Sequence, residues 1–589
     1  MPKRMTPAQR RRARKRKKRQ QGGANAGSIA SALFCIGVLV IAVVGGALYM
    51  KKYAPTKAHL ALDEYYTYFH DDEAALIIND TYMEPAEGAD AGSALVEDGR
   101  LYIERSVLKD QIDDGYVFDD TEQIMRYVTD KDVISVPYGG SGYTVDKEEQ
   151  SADFDIVYSA YDNVYVAADF ASQYSDFTYE TAEDPYRAVV ETAGFTHNVA
   201  TLKRKTAIRR LGGPKSKVLK DAKKGETISV IKNHGSWSSV ATEDGVVGYV
   251  KNSQIGKVTE ETAEAVLPAR EYEHMSMDGR VTMAWNVVTS QAANAGLGSI
   301  LKNTSGLDVI SPTWFYLNDD EGGIADFSSK EYVKTCHDAG VQVWGLVSDI
   351  ENGAVNGTTI LGRTSFRDNL VGNLIGAALA CGMDGINVDF EHVKAEAADS
   401  YIEFIKELSL KCEANDLFLS VDDYPPASFN QYYNRSVQAD YADYVVLMAY
   451  DEHYSGGEEA GSVASLPFVK EGIEGTLQEV PAERLILGMP FYCREWVDTN
   501  GTLESFNLEM ENVPKYLTEH DLKKEWIEEL GQNYAEYTDG DAKHMLWIED
   551  AESLTKKLAL MEEYGLAGGS FWRLGFEPEN IWTVIREYE

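Results

Sequence analysis

Cysteine is scarce in this chain, and positive charge is scarce beyond its N-terminal segment. Five cysteines are spread over 589 residues. Cys35 stands near the start, and Cys336, Cys381, Cys412 and Cys493 are scattered through the C-terminal half without a C-x-x-C pair. That count and spacing argue against a disulfide-stapled scaffold and against a thiolate zinc site. The ten histidines form no H-E-x-x-H and none pairs with a cysteine or another histidine at ligand spacing, so no metal and no cofactor is expected. Lys and Arg number 56 against 95 Asp and Glu, and fourteen of the 56 lie in residues 1–57, which hold no acid. The other 42 leave residues 58–589 with a formal net charge of −53, which argues against nucleic acid as a partner. Long apolar runs are also missing, with one exception.

The exception is Ile29 to Met50, 22 residues without a charge, preceded by eleven Lys and Arg in residues 1–20 and followed by Lys51-Lys52. Its length suits one membrane-spanning helix. The basic block favours a cytoplasmic N-terminus and an exported remainder. The apolar stretch is long for a cleaved signal peptide, and no Ala-x-Ala site stands near Leu48 to Tyr53. The expectation is a basic cytoplasmic segment over 1–28 and an uncleaved, single-pass transmembrane helix over 29–50.

Residues 58–194 are rich in Asp, Glu and Tyr, with short apolar alternations such as Leu101 to Val107 and Asn163 to Ala168. They predict an acidic α+β spacer domain. Asp98-Gly99 and Asp162-Asn163 before these runs suggest hairpins or a weak internal duplication. Residues 197–257 carry three β-type runs, Thr227 to Ile231, Trp237 to Val240 and Val246 to Val250, with a turn at Glu243-Asp-Gly245. They predict a small all-β domain, in which Trp237 and Tyr249 serve either packing or ligand contact.

From 273 to 589 eight short apolar segments can be counted: Val281 to Asn286, Asp308 to Trp314, Val341 to Val347, Asp384 to Glu391, Leu417 to Asp422, Tyr444 to Asp451, Leu485 to Phe491 and Ala567 to Trp572. Helical patterns separate several of them, including Phe366 to Cys381 with a glycine stop at Gly382, and Ala395 to Asn415. The prediction is a parallel (β/α)8 TIM barrel of α/β class with an α+β insertion at about 497–547. Chemistry concentrates in Asp384-Gly-Ile-Asn-Val-Asp-Phe-Glu391. Its alternation puts Asn387, Asp389 and Glu391 on one face, at the strand end where barrels carry catalytic groups. In a strand flanked by helices, a carboxylate pair costs several kcal/mol to bury unless it serves a purpose.

This octapeptide resembles the D-G-x-D-x-D-x-E signature of glycoside hydrolase family 18, the chitinase-like barrels, with Asn387 at the first interior aspartate. The Asn form is similar to the branch that acts on peptidoglycan in spore-forming Gram-positive bacteria. Met448-Ala-Tyr-Asp451 resembles the family's M-x-Y-D. Gly488 to Trp496 resembles G-x-P-x-Y-G-R-x-W with Cys493 for Gly, and Gly568 to Trp572 resembles its last-strand motif. Residues 197–257 resemble bacterial SH3-like domains, and 58–194 resemble the stalk-like N-terminal domain of copper amine oxidases.

The family resemblance implies a retaining, substrate-assisted hydrolysis in which the sugar's own acetamido carbonyl attacks and an oxazolinium forms. Glu391 is then the proton donor, its pKa raised by burial and by Asp389. Asp389 orients the acetamido group and Tyr450 donates to its carbonyl oxygen. Asn387 supports Asp389, and Asp384 is structural. Trp572 is the expected floor under the sugar, with Trp285, Trp314 and Trp344 as walls and Met448, Asp451, Tyr492 and Arg494 along the groove. The partner implied is a carbohydrate polymer, peptidoglycan or a chitin-like glycan, met by a monomer anchored in the cell membrane with its catalytic part at the cell wall. A chitinase, an endo-β-N-acetylglucosaminidase acting on N-glycans and a catalytically silent carbohydrate-binding protein are the alternatives that the residues leave open.

Overall fold

The computed structural model describes residues 6–588, so the first five residues of the expected basic segment lie outside the described residues. The chain opens with a helix over Pro7–Tyr53. Within it Ile29–Tyr53 is, among the described residues, the one helix stretch long and apolar enough to cross a membrane. The helix ends at Ala54, whose extended backbone (φ −60°, ψ 130°) is what the following Pro55 imposes.

Two compact units follow from the packing: 1–112 with 160–267, and 113–159 with 268–589. In the first unit, strands at 75–78, 81–82, 177–182 and 187–192 make one sheet, in which Ala75–Ile78 runs parallel to Arg187–Thr192. Ala94–Glu97 and Arg100–Glu104 form a hairpin whose two loop residues, Asp98 and Gly99, both have positive φ (49° and 78°). This is the turn that matches strand twist, as the Asp-Gly pair predicts. Near the second pair the positive φ values fall on Tyr161 and Asp162, one residue earlier than expected. Residues 196–262 build a seven-stranded antiparallel sheet around a core that includes Leu202, Ile208, Val240 and Val250. The three expected runs are strands Thr227–Asn233, Trp237–Thr242 and Gly248–Lys251.

The second unit contains the barrel. Its strands are β1 (Val281–Asn286), β2 (Val309–Pro312), β3 (Gln342–Ser348), β4 (Gly385–Asp389), β5 (Phe418–Asp423), β6 (Tyr444–Met448), β7 (Leu485–Pro490) and β8 (Gly568–Trp572). Each pairs in parallel with the next, and β8 closes on β1 at Val281 opposite Gly568. Closure there needs glycine, because a Cβ on residue 568 would lie 2.0 Å from the Val281 carbonyl oxygen. Strand parity divides the core in two. Val281, Met283, Trp285, Val309, Trp344, Leu346, Tyr444, Val446 and Ile486 fill the lumen. Ile310, Val343, Ile386, Val388, Leu419 and Val445 face outward into a larger core shared with the helices. The helix over Thr364–Cys381 ends at Gly382 in the left-handed region, and Ala398–Glu413 follows β4. Between β7 and β8, strands at 492–499, 502–509, 525–527, 532–539 and 542–548 form an antiparallel sheet with a helix over Val513–Glu519, the α+β insertion.

Residues 58–194, expected as one spacer, are shared between the two units. Five strands between Tyr116 and Ser151 form a meander that belongs with the barrel. Arg126, with 8% of its side chain exposed, donates at 2.8 Å to both Asp368 and Glu407 on the barrel's helices. Asp119 accepts the Thr364 amide that opens the helix at Thr364.

Candidate active site

The strand expected over Asp384 to Glu391 ends at Asp389. Asn387 and Asp389 point into the lumen, and Glu391 sits just above the rim. There its backbone N–H donates to Asp349 at 2.9 Å. Asp384, at the opposite end of β4, accepts the Val343 amide and lies 2.8 Å from His337, away from the cavity.

Above the lumen opens a cavity of about 770 Å³, lined by Trp285, Asp389, Glu391, Asp422, Met448, Tyr450, Asp451 and Trp572 together with Tyr424, Pro425, Pro426, Phe429, Tyr454, Phe468 and Glu471. Trp285 forms its floor with Trp572 (rings 5.8 Å apart) and meets Tyr450 edge-on at 6.3 Å. Five carboxyl groups and no Lys, Arg or His line it among the described residues. Such a lining suits a neutral ligand and repels an anionic one.

Burial and crowding set the protonation states. Burial pushes the Glu391 carboxyl up to about 7, helped by the charges of Asp349, Asp451 and Glu351. The mutual repulsion expected between Asp389 and Glu391 falls on Asp389. Asp389 is the more deeply buried of the two and is itself driven well above the carboxylate range by burial, then by Asp422 and Glu391. Burial also raises Tyr450, and Asp389 is the charge that adds most. The Tyr424 hydroxyl donates to Glu391 Oε2 in a short contact, leaving Oε1 for a ligand. A carboxyl that is half-protonated near neutrality and faces an enclosed cavity is what a general acid needs.

Asn387 is fully buried between four partners. Its Oδ1 accepts from Trp285 Nε1 (3.1 Å) and Ser311 Oγ (3.0 Å), and its Nδ2 donates to Ser420 Oγ (3.0 Å) and Asp422 Oδ1 (2.7 Å). Asp451 stands behind Tyr450 with φ 56°, held by Tyr492 Oη at 2.7 Å and Arg494 Nη2 at 2.8 Å.

Of the residues singled out from sequence, Glu391, Asp389, Tyr450, Trp285, Trp572, Met448 and Asp451 converge on the cavity, with Asn387 directly beneath. Tyr492 and Arg494 do not line the cavity and reach it through their hydrogen bonds to Asp451. Trp314 stays outside: it lies past the end of β2 in the outer core, edge-on to Tyr332 and bonded to Asn294. Trp344 packs in the lumen against Phe418 and Tyr444 and does not line the cavity. Asp349, Asp422 and Tyr424 were missed. Only Asp422 left a signal, in the Ser420-Val-Asp alternation that repeats the parity of Asn387-Val-Asp on the next strand.

Residues 326–577, which include β3 to β8, match the family model for Glycosyl hydrolases family 18. The C-terminal region is a family 18 glycosyl hydrolase domain. Among similar proteins of Bacillus subtilis (strain 168), the uncharacterized glycosylase YvbX is 26% identical over 260 residues, 42% of this chain and 75% of that protein. A putative sporulation-specific glycosylase, YdhD, is 28% identical over 37% of this chain and 54% of its own length. The cortical fragment-lytic enzyme is 24% identical over 41% of this chain and 59% of its own. The chain therefore spans little more than half the length of the latter two. The first two barrel strands lie before the matched residues, and the family 18 domain as folded extends beyond the match at its N-terminal side.

Proposed function

We propose that the protein is a membrane-anchored, extracytoplasmic glycoside hydrolase that cleaves β-1,4 bonds after N-acetylglucosamine in peptidoglycan. The observation that carries the reading is Glu391, whose carboxyl is poised near neutrality in a cavity that also holds Asp389 and Tyr450 over an aromatic floor. Glu391 protonates the leaving oxygen. No carboxylate acts as nucleophile. The substrate's acetamido oxygen closes on the anomeric carbon, Asp389 accepts the acetamido N–H, and Tyr450 steadies the carbonyl oxygen. A neutral N-acetylated sugar fits a lining without a cation.

Peptidoglycan is favoured by the cortical fragment-lytic relative and by the stretch Ile29–Tyr53, which would hold the enzyme at the wall. The sheet over 196–262 fits an SH3-like wall-binding module, with half-buried Trp237 and Tyr249 side by side around Gly212 as its contact face.

Purified peptidoglycan digested with the full chain in mild detergent, read by mass spectrometry beside Glu391→Gln, tests the proposal. Soluble fragments with reducing N-acetylglucosamine ends, absent with the variant, are expected. Cleavage of chitin oligomers or N-glycans but not of wall would move the substrate and keep the chemistry. Glycan binding without cleavage of any of them would make the barrel a lectin.

A further inference from the structure

In the signature that the octapeptide resembles, position 387 is a carboxylate two residues before Asp389, and here it is an amide. Its orientation is fixed. Trp285 Nε1 can only donate, so the Asn387 atom 3.1 Å from it is the oxygen, and the amide nitrogen must face Ser420 and Asp422. Asn387 can neither hold nor release a proton for Asp389. The neighbouring strand supplies what is missing. Val388 pairs with Val421, so the next residues along β4 and β5 are Asp389 and Asp422, side by side at the cavity floor. Asp422 is 2% exposed and Asp389 6%. Asp422 Oδ1 is taken by Asn387, while Asp422 Oδ2 and Asp389 Oδ1 are both buried and have no hydrogen-bond partner among the described residues. Two adjacent buried carboxyls with open oxygens cannot both ionise cheaply.

We propose that Asp422 is a positioning residue of this site: it exchanges one proton with Asp389, taking over from β5 the part that the amide at 387 cannot play. The proposal rests on the substrate-assisted reading above. In the resting site burial drives both carboxyls well above the carboxylate range, so the pair keeps a proton; the Asn387 amide that donates to Asp422 Oδ1 favours the charge there and leaves the proton on Asp389. As the acetamido oxygen bonds to the anomeric carbon and positive charge develops on the ring, the proton passes from Asp389 to Asp422. One proton is shared before and after, no bond to the sugar involves Asp422, and the negative charge arrives on Asp389 where the oxazolinium forms. The other groups facing the pair are Glu391, Asp349, Glu351 and the Tyr450 hydroxyl from the rim. Asp423 is turned to the opposite face, toward Arg435 at 3.9 Å, and its charge also raises Asp422.

The test compares the full chain with Asp422→Asn and with the exchanged pair Asn387→Asp/Asp422→Asn, which returns the carboxylate to β4. Asp422→Asn is expected to lower kcat about tenfold to a hundredfold with KM within about twofold, and to change the acidic limb of the pH profile. The exchanged pair is expected to recover most of that loss. A kcat and pH profile unchanged in Asp422→Asn would overturn the proposal, as would an exchanged pair no better than the single variant. Carboxyl-carbon NMR of 13C-aspartate-labelled protein, assigned with Asp389→Asn, decides the matter without turnover. Asp389 should ionise in a step linked to Asp422 in the parent and alone, at lower pH, in Asp422→Asn. A titration of Asp389 that ignores the change at 422 defeats the proton exchange. A parent chain inert on every glycan defeats the hydrolase reading instead, and the NMR result still stands for or against the pair.

Discussion

Asp349 accepts the backbone N–H of Glu391 at 2.9 Å, so the carboxylate that fixes the proton donor's backbone is also the charge that most raises its proton affinity. An asparagine at 349 keeps an acceptor for that N–H and removes the charge. A general acid works when protonated, so activity should hold below about pH 7 and fall as pH rises through the Glu391 value. Removing a neighbouring negative charge lowers that value. Asp349→Asn is therefore expected to move the basic limb of kcat/KM to lower pH by roughly half a unit or more, with little loss at pH 5. An unmoved limb would show that burial alone sets the Glu391 carboxyl.

Tyr424 predicts the opposite sign. Its hydroxyl donates to Glu391 Oε2 and so favours the charged carboxylate. Tyr424→Phe should move the basic limb to higher pH while lowering kcat about tenfold at pH 6, because the carboxyl loses the bond that aims Oε1 into the cavity. Measured together, these two variants separate charge from orientation. A shift in the same direction for both would contradict the assignment of Glu391 as the acid.

Trp285 and Trp314 looked alike in sequence and differ in place. The lumen side of a strand is set by parity once one inward residue is known, and Val281, Met283 and Trp285 share it. Trp314 follows Pro312 and Thr313 beyond the end of β2, where parity no longer applies, and turns into the outer core. Trp314→Ala should cost about 3–5 kcal/mol of unfolding free energy while the folded enzyme keeps its KM. Trp285→Ala removes the floor beside Trp572 and the donor to Asn387, so it should raise KM and lower kcat as well. Denaturant midpoints and steady-state kinetics on both variants distinguish them.

What the sequence made legible follows the same physics. Eight apolar runs, the glycine stop at Gly382 and the Asn387-Val-Asp389 alternation are local patterns, and they foretold the barrel and its carboxylates. Asp349 and Tyr424 act from loops after other strands, and only the closed barrel brings them to Glu391. Asp422 repeats a visible alternation, yet its meaning depends on the β4–β5 register, which no local pattern carries. The meander over 116–151 was hidden for the same reason, since Arg126 meets Asp368 across 242 residues of chain.

That ion pair has a consequence for where the catalytic unit begins. Arg126 and Glu407 are 8% and 4% exposed at the side chain, and Arg367 shares the same carboxylate at 3.3 Å. Removing Arg126 leaves Glu407 in the interior with one cation where two stood, so the cost falls below the about 3–5 kcal/mol of a buried charge left with no partner. The Asp368 contact adds little, because that carboxylate is half exposed. Arg126→Ala should accordingly lower the denaturation midpoint of the barrel, although no atom of Arg126 lines the catalytic cavity. Asp368→Asn should leave that midpoint nearly unchanged. By the same argument a fragment starting at residue 273 exposes the helix faces that Arg126 and Asp119 cover, and it should unfold at lower denaturant than the full chain or aggregate on expression. Equal midpoints for fragment and full chain would mean that the barrel begins where its strands do and that the acidic meander is an appendage.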